Sequence, residues 1–406
     1  MVNWVFISDS LIIASMGNGV VIFGLWVAAI LSLVSARNSI YNVADYGAVG
    51  NGQRDDTQAF LKAWGAACAD SYYPTFLIPS GKGRTFLLSQ ITFSGPCKSN
   101  VHVQVSGNLV APNKLWTKKP ETWIVFINIE GLTVDGHGQI DGQGAIWWPC
   151  ITKHICSGAP YIMQFLGCTG LKLSGIYLKN SPGKHLAIYK SDWTTIKGLT
   201  ITAPGDSPNT DGILIAESNH VHVYSSNIGV GDDCVAIGSG CYDVNISSVT
   251  CGPGHGISIG SLGANSKVEK VRVSGCNIFQ TTVGVRIKTW QGGSGYAKNI
   301  LYEHIVFNSV RSPILIDQYY CPQGNCANKT SAVAISDVTY NDLHGTSVDP
   351  VAIKIACSES MKCDRVVLND VSFSFEGSQA PMQSYCLNAY GKMYGKVVPE
   401  VPCLKW

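Results

Sequence analysis

A repeated strand pattern constrains the fold of this sequence more than any other feature. Short apolar runs that begin at positions 213, 235, 257, 285 and 314 return after 22, 22, 28 and 29 residues. A second series of β-branched runs lies between them, at 171–176, 196–201, 221–228, 244–249, 271–278 and 300–305. Such strands are typical of a solenoid whose coils stack as parallel sheets. Leucine-rich repeats need spaced leucines, which these runs lack, and a β-sandwich would not keep one coil length.

Both ends of such a solenoid need a cover, because an open terminal coil would expose its apolar interior and its strand edges. The segment Asp56 to Ala67 has the pattern of a helix, with an aspartate for the N-cap and with Phe60, Leu61 and Trp64 on one face. We expect this helix to cover the N-terminal end. We expect the tail from Gln379 to Trp406 to close the other end.

Charge and glycine content agree with a β-rich fold and exclude some partners. Charged residues make up 14% of the chain, and 43 of its 406 residues are glycine. An ordinary globular protein has about 25% charged residues and about 7% glycine. The formal net charge is only +2, so a strongly basic nucleic-acid-binding surface is not expected. A few local cations would have to recognise any acidic ligand.

The first 36 residues have the composition of an export signal. An apolar run from Val20 to Val34 ends in Val34-Ser35-Ala36, which fits a cleavage site of small residues. No Lys or Arg precedes Ala36, which departs from an ordinary signal peptide, so an uncleaved N-terminal anchor is the alternative. We expect residues 1–36 to be a signal peptide or anchor and residues 37–406 to form one domain of a secreted protein.

Fifteen cysteines agree with an oxidising compartment, and an odd number leaves at least one unpaired. The short intervals Cys150 to Cys156, Cys321 to Cys326 and Cys357 to Cys363 predict local disulfides. Zinc sites usually contain C-x-x-C units, which the sequence lacks, so no structural metal is expected. Asn245 and Asn328 begin N-glycosylation sequons.

Three aspartates are expected to lie close together, next to the start of two strands of the repeat. Asp211 and Asp233 each stand two positions before the first apolar residue of a strand, so the period predicts that they stack on adjacent coils, about 4.7–4.9 Å apart. Asp232 adds a third acid. Because like charges raise one another's pKa, either a cation binds there or one carboxyl keeps its proton and acts as a general acid. Aspartates next to glycine are also common turn formers, which is the structural alternative for each one alone.

His255 takes the corresponding position one coil further along. A single histidine is more often structural, but its register next to the acids favours a functional role. Arg286 and Lys288 alternate with apolar residues of the next strand, so both should point outward. They are either salt-bridge partners of the acids or a clamp for an anionic substrate. Acids beside a carboxylate clamp indicate a uronic acid polymer as the substrate.

The motifs around these residues resemble those of the plant polygalacturonases, and the resemblance covers nearly the whole chain after the N-terminal segment. The matching motifs are Val43-Ala44-Asp45-Tyr46-Gly47-Ala48, Asp55-Asp56-Thr57-Gln58-Ala59-Phe60, Asn180-Ser181-Pro182 with His185, Ser207-Pro208-Asn209-Thr210-Asp211-Gly212, Gly231-Asp232-Asp233-Cys234, Cys251-Gly252-Pro253-Gly254-His255-Gly256 and Arg286-Ile287-Lys288-Thr289. The resemblance implies an all-β, right-handed parallel β-helix of about ten coils. It also implies inverting hydrolysis of α-1,4-galacturonan in pectin, without metal or cofactor, by an extracellular cell-wall enzyme that we expect to be a monomer.

The resemblance implies a role for each acid. Asp232 is the general acid that protonates the glycosidic oxygen, and Asp211 with Asp233 activates water. Three neighbouring acids lead us to expect a raised pKa at Asp232. His255 would bond a catalytic carboxylate or a substrate hydroxyl, and Asn209 would help to orient the acids.

The resemblance also implies the substrate contacts. Arg286 and Lys288 would bind the galacturonate carboxylate, and Tyr320 would line a sugar subsite. The disulfides that it implies are Cys234–Cys251, Cys357–Cys363 and Cys386–Cys403.

Two alternative functions stay open. Pectate lyases share this fold and substrate but use calcium and β-elimination, so their acids would be calcium ligands. A catalytically silent β-helix could bind pectin without cleaving it, because a fold alone does not define an activity.

Overall fold

The apolar runs that begin at positions 213, 235, 257, 285 and 314 form strands of one parallel sheet, which we call sheet 1. The computed structural model describes residues 39–81, 83–116, 121–377 and 381–404. In these ranges, sheet 1 has 11 parallel strands. They are Ile91–Ser94, Ile124–Ile127, Met163–Leu166, Leu186–Tyr189, Ile213–Ala216, Val235–Ile237, Ile257–Leu262, Val283–Thr289, Ser312–Asp317, Val351–Ala356 and Gln383–Leu387.

Sheet 2 is built from the second series of runs and has 22 parallel strands within the described ranges. These strands are Ile40–Asn42, Asn51–Asp55, Thr75–Ile78, Thr85–Leu87, His102–Val105, Asn108–Val110, Thr133–Gly136, Gln139–Asp141, Lys172–Ser174, Tyr177–Lys179, Thr194–Lys197, Thr200–Thr202, Asn219–Tyr224, Asn227–Gly229, Cys241–Ser247, Thr250–Cys251, Ser266–Ser274, Asn277–Phe279, Gly295–Val310, Ala334–Ser347, Cys363–Phe375 and Ala389–Val398. An all-β parallel β-helix is therefore confirmed, and the count of about ten coils remains a prediction.

The register of sheet 1 follows the sequence spacing. Ile213 pairs with Val235, and Val235 pairs with Ile257. Ile257 in turn pairs with Val285, and Val285 pairs with Ile314. The five positions from which the repeat was identified therefore form one ladder, even though the coil length changes from 22 to 29 residues.

Sheet 2 has more strands than the sequence pattern predicts, because most of its runs bend. Five of the six runs break into two strands at a residue in the left-handed backbone region. These residues are Gly175 (φ 74°), Gly198 (φ 61°), Ser225 (φ 50°), Ser248 (φ 52°) and Gly275 (φ 59°). Glycine adopts this conformation without steric cost, and a left-handed residue at matching positions turns successive coils in the same way. Most coils therefore contribute one strand to sheet 1 and two strands to sheet 2.

The core lies inside the coils, where side chains from both sheets meet. Alternation along each strand directs every second side chain inward, and Val235 and Ile237 are fully buried in this way. Near the N-terminal end, an aromatic stack fills the interior. Phe93 and Phe126 have ring centroids 4.9 Å apart, and Phe126 and Phe165 are 5.1 Å apart. Each such buried side chain stabilises the fold by about 1.5–3 kcal/mol.

The predicted N-terminal helix is present at Thr57–Cys68, within one residue of the expected bounds. Its Trp64 ring contacts the end of the aromatic stack, 5.2 Å from Phe93 and 5.9 Å from Phe126. Asp56 is the N-cap residue, but its carboxylate accepts hydrogen bonds from the backbone of the preceding turn rather than from the helix. The helix thus covers the terminal coil, as expected. A shorter helix spans Trp148–Thr152, and 3₁₀ turns span Val43–Tyr46, Gly144–Ile146 and Pro402–Leu404.

The C-terminal tail closes the opposite end. It adds the last strand to each sheet and then turns back over the final coil, where Val401 and Leu404 are buried. The Ser384 hydroxyl donates a hydrogen bond to the carbonyl of Glu400, and the Cys386–Cys403 disulfide ties the turn to the coil.

The described part of the chain contains six disulfides. Every pairing predicted above is present, and Cys68–Cys97 adds one that the sequence analysis missed. The six are Cys68–Cys97, Cys150–Cys156, Cys234–Cys251, Cys321–Cys326, Cys357–Cys363 and Cys386–Cys403. Three buried cysteines are free, namely Cys168, Cys241 and Cys276. The expectation of at least one unpaired cysteine is therefore confirmed.

The predicted signal peptide or anchor, residues 1–36, lies outside the described residues. Where the structure does describe the chain, it contains no helix long and apolar enough to cross a membrane.

Candidate active site

Four ionisable residues of the candidate site occupy one register position on four consecutive coils. Sheet 1 pairs Leu186 with Ile213, and each of these residues stands two positions before its strand's first apolar residue. This position holds Lys184, Asp211, Asp233 and His255 in turn. The predicted stacking of the two aspartates is thereby confirmed.

Asp211 is buried next to a lysine. Its side chain is 7% exposed, and its Oδ1 lies 2.8 Å from Nζ of Lys184. The backbone carbonyl of Asp211 accepts a hydrogen bond from the amide of His185 at 2.8 Å. Burial lowers the pKa of His185 to about 4, so this histidine is neutral and braces the strand without adding charge to the site.

Asp233 is the most deeply buried of the three acids, with 2% of its side chain exposed. Its Oδ1 lies 2.6 Å from Nη2 of Arg286, and its Oδ2 lies 2.8 Å from Nζ of Lys288. The hydroxyl of Ser258 donates to Oδ1 at 2.7 Å and accepts from Nε of Arg286 at 3.0 Å. Arg286 and Lys288 are themselves buried, so both oxygens of Asp233 are held by charged hydrogen bonds, which are the strong kind.

Asp232 is the accessible member of the trio, with 20% of its side chain exposed. Its Oδ1 accepts a hydrogen bond from the backbone amide of Asp233 at 2.8 Å and lies 2.9 Å from Nδ1 of His255. The His255 amide also bonds the Asp232 carbonyl, at 2.8 Å. Asp232 is therefore fixed in place while its carboxyl group still reaches the surface of sheet 1.

The structure corrects the expected distribution of pKa values. Burial raises the pKa of Asp211 to about 6, because the charges of Asp232 and Asp233 add to the effect while Lys184 opposes it. Burial also acts to raise the pKa of Asp232, but the hydrogen bond and charge of His255, together with the cations Lys288 and Lys184, lower it to about 2. The expectation of a raised pKa at Asp232 is therefore wrong for the free protein, in which Asp211 is the acid with the raised pKa.

The geometry also answers whether the acids require a bound cation. One ligand atom from each of Asp232, Asp233 and His255 lies within 4.8 Å of the others, which is close enough for a shared metal. Both oxygens of Asp233, however, already bond Arg286 and Lys288. Side chains of the protein therefore supply the positive charge that three adjacent carboxylates need.

The loop that carries Asp211 is held by its neighbours. Thr210 accepts a hydrogen bond from the amide of Gly231 at 3.0 Å, and its hydroxyl lies 2.6 Å from that of Ser207. A Cβ atom on Gly231 would lie 2.0 Å from the carbonyl oxygen of Ser207, so glycine is required there. Asn209 is exposed in a left-handed conformation with φ 55°. Its side chain makes no hydrogen bond to any described residue, so its expected role in orienting the acids stays a prediction.

Two further features lie near the ends of the candidate site in sequence. A cleft of about 310 Å³ lies between the short helix Trp148–Thr152 and the loop at Ser207 and Pro208, and Lys153 is one of its lining residues. The Lys288 ammonium, which bonds Asp233, lies 5.3 Å from the ring centroid of Tyr320.

Sequence reasoning missed Lys184 and Ser258. Lys184 takes the register position of Asp211 one coil earlier, so the same count of two residues before a strand would have found it. Ser258 follows the first apolar residue of its strand and alternates outward, which the period of two could have indicated. An outward serine is common, however, so its contact with Asp233 carried no distinct signal.

The sequence and the fold are similar to those of known proteins. The profile of glycosyl hydrolases family 28 matches residues 68–393. A polygalacturonase of Cryptomeria japonica is 42% identical over 375 residues, which cover 89% of this chain and 72% of the relative. An exopolygalacturonase of Zea mays is 40% identical over 381 residues, covering 91% and 92%. The solved structure of a polygalacturonase from Erwinia carotovora has a TM-score of 0.69 at 23% identity, covering 86% of this chain and 97% of the other, which shows a shared fold.

Proposed function

The chain belongs to glycosyl hydrolases family 28, and we propose that it is a polygalacturonase that hydrolyses galacturonan in pectin. The observation that carries the proposal is that the three acids differ in exposure and in hydrogen-bond partners. Asp211 and Asp233 are buried and paired with cations, whereas Asp232 is bonded to His255 and reaches the surface of sheet 1.

Asp232 is the proposed general acid, because it alone of the three is exposed enough to reach a glycosidic oxygen. Because the raised pKa belongs to Asp211 in the free protein, we propose that a proton held by Asp211 becomes available to Asp232 once substrate is bound. A bound uronate adds negative charge and excludes water, and both effects raise the pKa of a neighbouring carboxyl group. The three acids therefore act as one coupled set that needs a single proton.

Water is the proposed nucleophile, activated between Asp211 and Asp233. An inverting enzyme usually separates its acid and base by about 6.5–9.5 Å to admit water, whereas oxygens of Asp232 and Asp233 lie within 4.8 Å. By that rule the space between Asp232 and Asp233 is too short, and we place the water between Asp211 and Asp233, which share one register position on adjacent coils. Both oxygens of Asp233 are engaged by Arg286 and Lys288, which disfavours Asp233 as a covalent nucleophile and favours inversion.

The function is tested by incubating the purified protein with polygalacturonic acid and measuring the release of reducing ends. We expect release from polygalacturonic acid and none from a neutral glycan of similar length. Binding to polygalacturonic acid without any release of reducing ends would replace the proposal with a pectin-binding protein.

Replacement of Lys288 by Ala is expected to raise KM for de-esterified galacturonan. Its ammonium has two further protons beside the one directed at Asp233, and it faces the ring of Tyr320. The expected increase is roughly ten- to a hundredfold, because a hydrogen bond between charged groups contributes about 1.5–3 kcal/mol. The increase should be smaller on methyl-esterified pectin, which lacks the carboxylate.

Lys270 provides the matched control for this variant. It also lies over a tyrosine, 5.5 Å from the Tyr242 ring, and pairs with an aspartate, Asp243, at 3.1 Å, but on sheet 2. Lys270→Ala should leave KM as it is. An unchanged KM for Lys288→Ala would remove the proposed carboxylate contact.

The rate of hydrolysis is expected to peak at mildly acidic pH and to fall as pH rises through about 6, the pKa of Asp211. Above that pH the three acids lose the last proton that they share, and the general acid can no longer be supplied. Initial rates on polygalacturonic acid across the pH range provide the measurement. A rate that stays constant up to about pH 8 would contradict the shared-proton account.

Export to the cell wall completes the proposed function. Six disulfides support an extracellular location, residues 1–36 act as signal or anchor, and residues 37–406 form the catalytic domain. Both ends of the solenoid are covered by chain, which leaves no open coil for another copy to extend and supports a monomer. Asn328, exposed on its loop, is the better placed of the two glycosylation sequons.

A further inference from the structure

Lys184 is a charged neighbour of the acids to which the proposed mechanism has so far given no role. It precedes the strand Leu186–Tyr189 and stands in register with Asp211 on the next coil. Its Nζ lies 2.8 Å from Oδ1 of Asp211 and 5.8 Å from the ring centroid of Tyr161. Tyr161 takes the same register position on the coil before, since Met163 pairs with Leu186.

This pair differs from an ordinary surface ion pair. Only 23% of the Lys184 side chain and 7% of the Asp211 side chain are exposed. Exposed pairs contribute about 0–1 kcal/mol because water screens them, whereas loss of one partner from a buried pair leaves an uncompensated charge. Among the described residues, Lys184 is the cation that pairs with Asp211. Arg286 and Lys288 both bond Asp233 instead.

We propose that Lys184 is a positioning residue of the hydrolytic reaction, which holds the Asp211 carboxylate in place and balances its charge within the acid trio. The inference rests on the proposed function and assigns a role to a residue of that same site. Lys184 acts through Asp211 and does not itself take part in proton transfer.

The role predicts a particular change in pH dependence. The groups around Asp211 are Lys184, Asp232 and Asp233, with His255, Arg286 and Lys288 beyond them; the neighbouring His185 is neutral. Without the ammonium group, Asp211 would face two carboxylates, which favour its protonated form. The trio would then keep its shared proton to higher pH, and the activity profile would move in the alkaline direction.

The experiment compares the pH profiles of kcat and kcat/KM on polygalacturonic acid for wild type, Lys184→Met and Lys184→Arg. Lys184→Met should move the profile upward by about one to three pH units, the range that a nearby opposite charge produces. It should also lower kcat at the wild-type optimum with little change in KM. Lys184→Arg keeps the charge and should return the profile to near its wild-type position.

Lys179→Met is the matched control. Lys179 has a similar exposure of 26% and pairs with Asp141 at 3.2 Å, but it lies in a strand of sheet 2. Its replacement should leave the pH profile unchanged, and melting temperatures of all variants show whether each is folded.

The outcomes separate the two proposals. An inactive but folded wild type would overturn the proposed function itself. An active wild type whose profile overlays that of folded Lys184→Met would overturn only the role of Lys184. A profile that moves equally in Lys184→Met and Lys184→Arg would show that the geometry of the lysine, rather than its charge, is needed, and would contradict the charge-balancing role.

Discussion

Asp232→Asn is expected to reduce kcat on polygalacturonic acid by roughly 10²–10⁴-fold, the usual contribution of a general acid. The amide keeps the shape of the side chain and can still bond the backbone amide of Asp233, but it cannot deliver a proton. KM should change little, because the proposed carboxylate clamp of Arg286 and Lys288 is retained. Steady-state kinetics at the wild-type optimum measure both constants.

A second aspartate–histidine pair provides the control for this variant. Asp243 lies 2.8 Å from Nδ1 of His220, much as Asp232 lies 2.9 Å from Nδ1 of His255, but it belongs to a strand of sheet 2. Asp243→Asn should retain full activity. A general acid contributes at least about a hundredfold to the rate. If Asp232→Asn kept more than about a tenth of the wild-type kcat, Asp232 would therefore not be the general acid.

Asp233→Ala is expected to lower the free energy of unfolding by about 3–5 kcal/mol, because it leaves two buried cations without their shared partner. Asp233 is 1% exposed, Arg286 is 9% exposed and Lys288 is 6% exposed, so solvent screens the two remaining positive charges only weakly. Activity should be lost as well, since the proposed water-activating pair is broken. Denaturant unfolding and melting temperature measure the stability change.

An exposed ion pair provides the control for Asp233→Ala. Arg365 and Asp337 contact each other on the surface, with 60% and 33% of their side chains exposed. Asp337→Ala should change stability by about 0–1 kcal/mol. Equal effects of Asp233→Ala and Asp337→Ala would show that the cations of the site are not held as tightly as their burial indicates.

The register of sheet 1 is the part of the fold that was most accessible to sequence reasoning. A ladder of inward apolar residues at 213, 235 and 257 sets where each coil begins, so residues two positions earlier must align. That one count predicted the stacking of Asp211 on Asp233 and placed His255 beside them. The bends of sheet 2 were not predicted, because a left-handed residue such as Ser225 leaves no clear mark in an otherwise β-branched run.

The electrostatics of the site were less accessible. The pattern predicted that Arg286 and Lys288 share a face with the acids, but not that both are directed at Asp233. The sequence pattern also could not show which of the three acids has a raised pKa, because that depends on burial and on which cation contacts which acid. Asp211 is more buried than Asp232, and among the described residues its carboxylate bonds Lys184 rather than a histidine. Burial therefore raises the pKa of Asp211, whereas His255 helps to lower that of Asp232.

The central claim is that this protein hydrolyses galacturonan with a single displacement by water. It is tested most directly by following the protein with polygalacturonic acid in the presence of a chelator by proton NMR from the first minutes of reaction. Hydrolysis with inversion predicts new reducing ends that appear first as the β-anomer, with no unsaturated products. Initial α-anomers would contradict the single displacement and indicate a covalent intermediate. Unsaturated products that the chelator suppresses would identify a lyase instead.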